Sequence, residues 1–214
     1  MRILVVSDIH TDYIPMRHIC NTEHPDLVLD CGDHAEMANW AGLIPHYFVE
    51  GNHEPKEVVI DSKDLRHPNK ISLGVIYKFF KDNDKLKFAG IGGNYSSKPG
   101  NLTVKESDIT ALRKIPAGSL DVLLLHESPY NVLVSIDNDS DSSHSIKTRL
   151  PFKMIDEIER INPKYVFSGH IGFKKDFKEK KVRHITLPEV AKGYGILEIN
   201  VGEFLYKGKT LRWR

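Results

Sequence analysis

The sequence predicts an α/β fold built on a parallel sheet, and three observations carry that prediction. Early in the chain, short aliphatic runs alternate with stretches of helical pattern. Each of those runs stops on a carboxylate, an imidazole or an amide, which is how parallel strands deliver ligands to their common carboxyl edge. The end of the chain holds several closely spaced strand candidates, an antiparallel pattern that predicts a second sheet packed on the first.

The first run, Arg2 to His10, is rich in β-branched and aliphatic residues and ends on Asp8 and His10. Alternate side chains of an extended segment point the same way, so this pair can converge on one cation, although alone it reads more readily as a turn with an exposed histidine. Tyr13 to His24 has a helical pattern with Pro15 in its first turn. Asp26 to Cys31 is a second strand, closed by Gly32-Asp33-His34, and Ala35 to Leu43 is a helix. His46 to Glu50 is a third strand that runs into Gly51-Asn52-His53-Glu54-Pro55. Val58 to Asn69 has no clear period and reads as a connection or weak helix.

Ile71 to Phe80 and Leu86 to Ile91 read as strands joined by a turn, followed by the glycine-rich segment Gly90 to Tyr95, which reads as a flexible turn. Thr103 to Ile115 predicts a helix capped by Thr103 with Glu106 as its capping-box partner, and Ile109 and Leu112 on its inner face. Leu120 to Leu125 is the most apolar strand and ends on His126. Asn131 to Ser145, with Asp137, Asp139 and Asp141 among serines, reads as a solvated loop. Arg149 to Ile161 predicts a helix entered through Pro151, with Phe152, Ile155 and Ile158 facing inward. Lys164 to Ser168 is a strand closing on Gly169-His170-Ile171-Gly172, and Lys174 to Lys181 reads as a charged connection. Val182 to Leu187, Gly195 to Val201, Glu203 to Tyr206 and Thr210 to Trp213 complete the strand candidates.

A chain of 214 residues fits one domain spanning 1–214, and 40% hydrophobic with 28% charged residues is the balance of a globular protein. A net charge of +1 gives no general electrostatic case for nucleic acid or an anionic membrane. The longest apolar stretches are strand-sized, so the expectation is a cytoplasmic protein without a membrane span; oligomeric state is not legible. Cys20 and Cys31 read as reduced core residues.

Asp8, His10, Asp33, Asn52, His126 and His170 each stand just past a predicted strand. Burying so many polar groups on one rim is costly without a counter-ion, so cations are the economical explanation. Carboxylate, imidazole and amide oxygen together suit a first-row dication better than Ca²⁺, and the lack of thiolates argues against structural zinc. Two dications bridged by one carboxylate, for which Asp33 is the natural candidate, suit phosphoester hydrolysis.

Asp8-x-His10, Gly32-Asp33, Gly51-Asn52-His53-Glu54, His126 and Gly169-His170, in this order, resemble the signature of the calcineurin-like metallophosphoesterases. The resemblance implies a four-layer α/β/β/α sandwich with two mixed β-sheets and a dinuclear centre at the strand ends. It implies that Asp8 and His10 hold a first metal, that Asp33 bridges, and that Asn52, His126 and His170 complete the shell of a second. It further implies a catalytic role for His53, oriented by Glu54, with Asn52 and His53 contacting substrate. The expected cofactors are two divalent cations, Mn²⁺ first, with Fe²⁺, Zn²⁺ or Ni²⁺ as substitutes. The expected substrate is a phosphate ester or nucleotide, hydrolysed as a mono- or diester. The family's last motif usually reads Gly-His-x-His, whereas here Gly172 stands at its final position, leaving the first site a ligand short and weaker. His184 is one candidate substitute, though it reads more simply as a strand residue. Two alternatives remain: a metal-poor interaction or nucleotide-binding module of the same fold, and a nucleic-acid phosphodiesterase, since Ile76 to Tyr95 loosely resembles lariat debranching enzymes.

Overall fold

The computed structural model describes residues 1–10, 13–33, 44–53, 69–95, 102–137 and 144–208. The expected helix at 35–43, Glu54, Asp139 and Asp141, and the last strand candidate at 210–213 lie outside the described residues.

Two six-stranded mixed sheets form the centre of the molecule. In the first, β1 (Arg2–Val6), β2 (Leu27–Asp30), β3 (His46–Phe48) and β4 (Asn69–Lys70) run parallel in that order. The second contains β5 (Tyr77–Lys81), β6 (Asp84–Ile91), β7 (Val122–Leu125), β8 (Tyr165–Ser168), β9 (Lys175–Glu179) and β10 (Val182–Thr186), in the order β5-β6-β7-β8-β10-β9. The chain then returns to the first sheet, where β11 (Gly193–Glu198) pairs antiparallel with β1 and β12 (Glu203–Gly208) with β11. Of the tail, Val182–Thr186 does join the second sheet, antiparallel to β9, whereas β11 and β12 go to the first. They close the free edge of β1, which would otherwise present an unpaired row of backbone groups.

Strand alternation explains the layers. Ile3, Val5, Leu27 and Leu29 point between the sheets and meet Phe88, Val122, Leu124 and Phe167. Their neighbours Leu4, Val6 and Val28 point the other way, onto Met16, Ile19 and Cys20 of α1 (Tyr13–Glu23). On the far side, Leu123, Leu125 and Val166 pack against α2 (Glu106–Leu112) and α4 (His144–Ile161) through Ile109, Leu112, Met154, Ile158 and Ile161. The result is the α/β/β/α sandwich. Phe167 is fully buried between the sheets, and truncating it to alanine should cost about 3–5 kcal/mol. No helix among the described residues is long and apolar enough to cross a membrane.

Several local expectations are corrected. Lys175–Glu179 is an edge strand, its lysines guarding the edge while Phe177 stacks on His184 at 5.0 Å. Pro129–Asp137 is a helix, α3, where a loop was expected; Ser128 followed by Pro129 was the helix-start signal. Helix α2 begins at Glu106, with Asp108 accepting the Lys105 amide at 2.8 Å, because Thr103 is engaged in a bridge to Asn94. Helix α4 starts earlier than expected, carries Pro151 in its interior, and turns Phe152 outward; its inner stripe is Met154, Ile158 and Ile161. The segment from Gly90 to Tyr95 is a close-packed loop: a Cβ on Gly92 would stand 2.4 Å from the Glu50 carbonyl oxygen.

Candidate metal centre

All the parallel strands end on one rim, and the rim spans the seam between the sheets. Asp8 and His10 follow β1, Asp33 follows β2, and Asn52 and His53 follow β3; His126 directly follows β7, and His170 follows β8. The first sheet thus supplies one half of the site and the second sheet the other. Backbone bonds tie the loops: the Asp8 amide donates to Gly32 O at 2.9 Å, the His10 amide to Asp33 O at 2.7 Å, and the Gly169 amide to His126 O at 2.8 Å.

Two groups of donor atoms converge. Asp8, His10 and Asp33 form one; Asp33, His126 and His170 form the other, with the ligand atoms of each group within 4.8 Å of one another. Asp33 belongs to both. Asp8, Asp33 and His126 are buried, at 5%, 1% and 0% exposure, whereas His10 and His53 open toward solvent.

Each donor is held in place by a neighbour. One Asp8 oxygen accepts from the Ser7 hydroxyl and from the His170 amide, the latter at 2.9 Å. Asp33 Oδ1 accepts the His53 amide at 2.8 Å. His126 Nδ1 donates to the Cys31 carbonyl at 2.8 Å, which makes Nε2 the ring nitrogen turned to the rim. That Nε2 faces Asn52 Oδ1 at 2.8 Å and lies 3.6 Å from Asp33 Oδ2. With the Asn52 amide placed oxygen-first, one nitrogen and two oxygen ligand atoms turn toward the same point. A divalent cation fits that donor set, because oxygen and nitrogen ligands about 2.0–2.2 Å from one ion stand at such mutual distances.

The backbone records the same demand. Among the described residues, eight non-glycine residues have positive φ. His24 and Asn162 follow the last residues of α1 and α4, and Asp82 and Lys180 sit in the β5–β6 and β9–β10 hairpin turns, all ordinary places for this conformation. The other four are Asp8, His10, Asp33 and His170, with φ of 52°, 51°, 59° and 72°. Such left-handed conformations cost roughly 1–3 kcal/mol each and persist at sites where geometry matters more than local comfort. Glycine makes room beside them: a Cβ on Gly51 would stand 1.9 Å from Asp33 Oδ1, and one on Gly169 would stand 1.6 Å from Ser7 Oγ.

Sequence reasoning passed over Glu127. Its Oε2 accepts the Tyr95 amide at 2.7 Å, and its Oε1 lies 3.7 Å from His170 Nε2, beside a ring of the second donor group. The only hint was its position next to His126. Gly172 has φ of 69°, and a Cβ placed on it would meet nothing within 4 Å, so its position in the loop is open space. His184 does not fill it. That ring lies on β10 against Tyr130 and Phe177, and burial pushes its pKa down to about 4. Both cysteines are free and buried, burial raising the Cys20 thiol to about 12 and holding Cys31 well above the usual thiol range, and neither belongs to the two converging donor groups.

The family model for calcineurin-like phosphoesterases matches residues 1–172. No curated protein matches the sequence. Among solved structures, TT1561 of Thermus thermophilus superposes with a TM-score of 0.62 at 12% identity, over 97% of this chain and 98% of that one. GAP50, described as the anchor in the inner membrane complex of Plasmodium, gives 0.59 at 12% identity, over 99% and 86%. A protein described as a novel archaeal phosphodiesterase gives 0.52 at 16% identity, over 98% and 100%. At these identities the likeness is one of fold.

Proposed function

Since this chain belongs to the calcineurin-like phosphoesterase family, we propose that it is a metal-dependent hydrolase of phosphate esters, acting at a dinuclear centre on the strand-end rim. The observation that supports this most directly is the convergence of His126 Nε2, Asn52 Oδ1 and Asp33 Oδ2 on one point. The four left-handed rim residues add to it. In this reading Asp8, His10 and Asp33 hold one cation, and Asp33, Asn52, His126 and His170 hold another, Mn²⁺ being the first choice. Held by these residues, two divalent cations would supply a nucleophile at neutral pH and offset charge on the transferred phosphoryl group.

The chain's own residues do the rest. The Cys31 carbonyl fixes the His126 tautomer and ring plane, so that its lone pair is presented without rearrangement. The His53 amide, bonded to Asp33, fixes where the His53 ring leaves the backbone, and the ring stands 6.2 Å from that of His10 at the solvent-facing side of the rim. From there His53 can contact an ester and give a proton to the leaving oxygen, with Glu54 as its orienting partner. A described phosphodiesterase among the structures of this fold makes a diester the first substrate to try, with nucleotides as the class of small molecule.

One observation favours a second reading. Gly172 removes a ligand position, and a described anchor protein shares the fold, so a metal-poor interaction module is the rival. His53 separates the two, since a scaffold has no use for a leaving-group acid. The experiment is metal analysis of the purified protein and hydrolysis of bis(p-nitrophenyl) phosphate and p-nitrophenyl phosphate with and without Mn²⁺. Metal-dependent turnover that disappears in Asp33→Ala is the expected result. Metal-free protein that gains no activity on Mn²⁺ addition would overturn the proposal.

A further inference from the structure

At the opposite end of the sandwich, a cavity of about 310 Å³ opens on the seam between the sheets. It is built where β6, β7, β8 and β10 begin, with β9 finishing beside them and the β11–β12 turn closing the other wall. Its size is at the lower end of ligand-binding cavities. What distinguishes it is charge: Lys85, Lys164, Lys178, Lys181 and Arg183 line it, against one carboxylate, Asp121.

Two of those five cations are paired. Lys164 Nζ lies 2.9 Å from Asp121 Oδ1, and Arg183 makes a two-pronged contact with Asp176 at 3.0 and 2.9 Å. Among the described residues no carboxylate pairs with Lys85, Lys178 or Lys181; Lys85 instead lies 5.4 Å from the Phe80 ring centre. In a chain whose net charge is only +1, two unmatched ammonium groups, Lys178 and Lys181, beside the paired Lys164 and Arg183 around one concavity are a local concentration, and a concave wall focuses their field.

Along the same edge Lys180 is matched by Glu159 at 2.6 Å, whereas Lys174, 3.6 Å from Asp176, shares that carboxylate with Arg183. A polymer backbone needs a long basic stripe; a charged concavity suits a compact anion. One wall is different in kind. Tyr165, whose hydroxyl donates to the Gly202 carbonyl at 2.9 Å, stands there with Leu197 and Ile199 and gives the cavity an apolar side.

We propose that this cavity is a binding site for a small polyanion carrying contiguous phosphate groups, separate from the metal rim. Lys178 and Lys181 hold the phosphates, and the Tyr165 wall accepts an organic portion when one is present. The site lies at the amino ends of the strands and the rim at their carboxyl ends, so a ligand here does not touch the catalytic groups.

The test is calorimetric titration of the full chain with sodium tripolyphosphate at low ionic strength, in EDTA so that no cation at the rim can recruit phosphate. Saturable binding is expected, weakened at least tenfold in Lys178→Glu/Lys181→Glu and unchanged in Asp33→Ala. Lys178→Gln/Lys181→Gln, which removes charge without reversing it, should give a smaller loss, and adenosine triphosphate should bind at least as tightly as tripolyphosphate. Absent binding, equal affinity in the charge-reversed protein, or loss of binding in Asp33→Ala would overturn the assignment. So would a single-stranded oligonucleotide that displaces tripolyphosphate at lower concentration, since it would mean an extended surface.

Discussion

Asp33 and Glu23 are both buried carboxylates, one at each end of the sandwich, and their surroundings are opposites. Glu23, at the last residue of α1, receives Arg2, Lys207 at 2.8 Å through both oxygens, and the Tyr194 hydroxyl at 2.6 Å. Burial acts to raise its pKa, but the hydrogen bonds from Lys207, Tyr194 and Arg2 and the Lys207 charge outweigh it and bring the group from the usual 4.5 to about 2. Asp33 sits in left-handed backbone among histidines and an asparagine that present lone pairs. One end joins a carboxylate to cations and contributes stability. The other gathers a carboxylate with imidazole and amide ligand types, the donor set that suits a divalent cation.

The sharpest break in that comparison is Asp33→Ala. A carboxylate shared by both donor groups has no substitute, so the variant should lose Mn²⁺ binding at both positions in isothermal titration. Two ions bound with native affinity would show that Asp33 is not the bridge. His53→Ala should come next, with turnover falling roughly 10²–10⁴-fold and metal binding retained. The loss should be smaller for nitrophenyl than for alkyl esters; equal losses would speak against leaving-group protonation.

Glu127→Gln should weaken Mn²⁺ binding about 10–100-fold without lowering the melting temperature, because the carboxylate beside His170 orients a ligand and is not itself one. Unchanged affinity would reduce Glu127 to a partner of the Tyr95 amide. At the other end, Glu23→Gln should leave metal affinity alone and cost on the order of 1–3 kcal/mol of stability in urea denaturation near neutral pH. A depressed folded pKa means the contribution is present above the usual 4.5 and fades as pH falls toward about 2. The gap between wild type and variant should therefore close through that window, and a constant gap would place the effect in packing.

The smallest effect is expected at Gly172. Open space around it admits an imidazole, but φ of 69° penalises any side chain, so Gly172→His should raise affinity at the Asp8–His10–Asp33 position only severalfold. Identical titrations of the two proteins would point to a ligand supplied from elsewhere.

Much of the rim was legible because its signals are local. Asp8, Asp33, Asn52, His126 and His170 each follow an aliphatic run, and a strand that ends on a ligand type can be read within about ten residues. The sorting of strands between sheets was not, because β11 meets β1 through partners such as Arg2 and Glu198, which no local pattern connects. Lys175–Glu179 was missed for a different reason: an edge strand is selected for charge, which hides its alternation. Glu127 carries no signal of its own, since its meaning lies in the Tyr95 amide and the His170 ring that the fold brings to it.

The return of β11 to β1 also sets an order of events during synthesis. Asp8 hangs from a strand made before all the others described, yet one edge of that strand is covered only by Gly193–Glu198, after the second sheet has been made. On the ribosome the emerging β1 must therefore wait with an open edge while both sheets are being made, a long-range closure of the kind that slows folding and invites mispairing. A chain released at residue 172 would carry every rim ligand and still lack the strands that seal both sheets. Completeness of the motif and competence to fold are, in this protein, settled by different stretches of the chain.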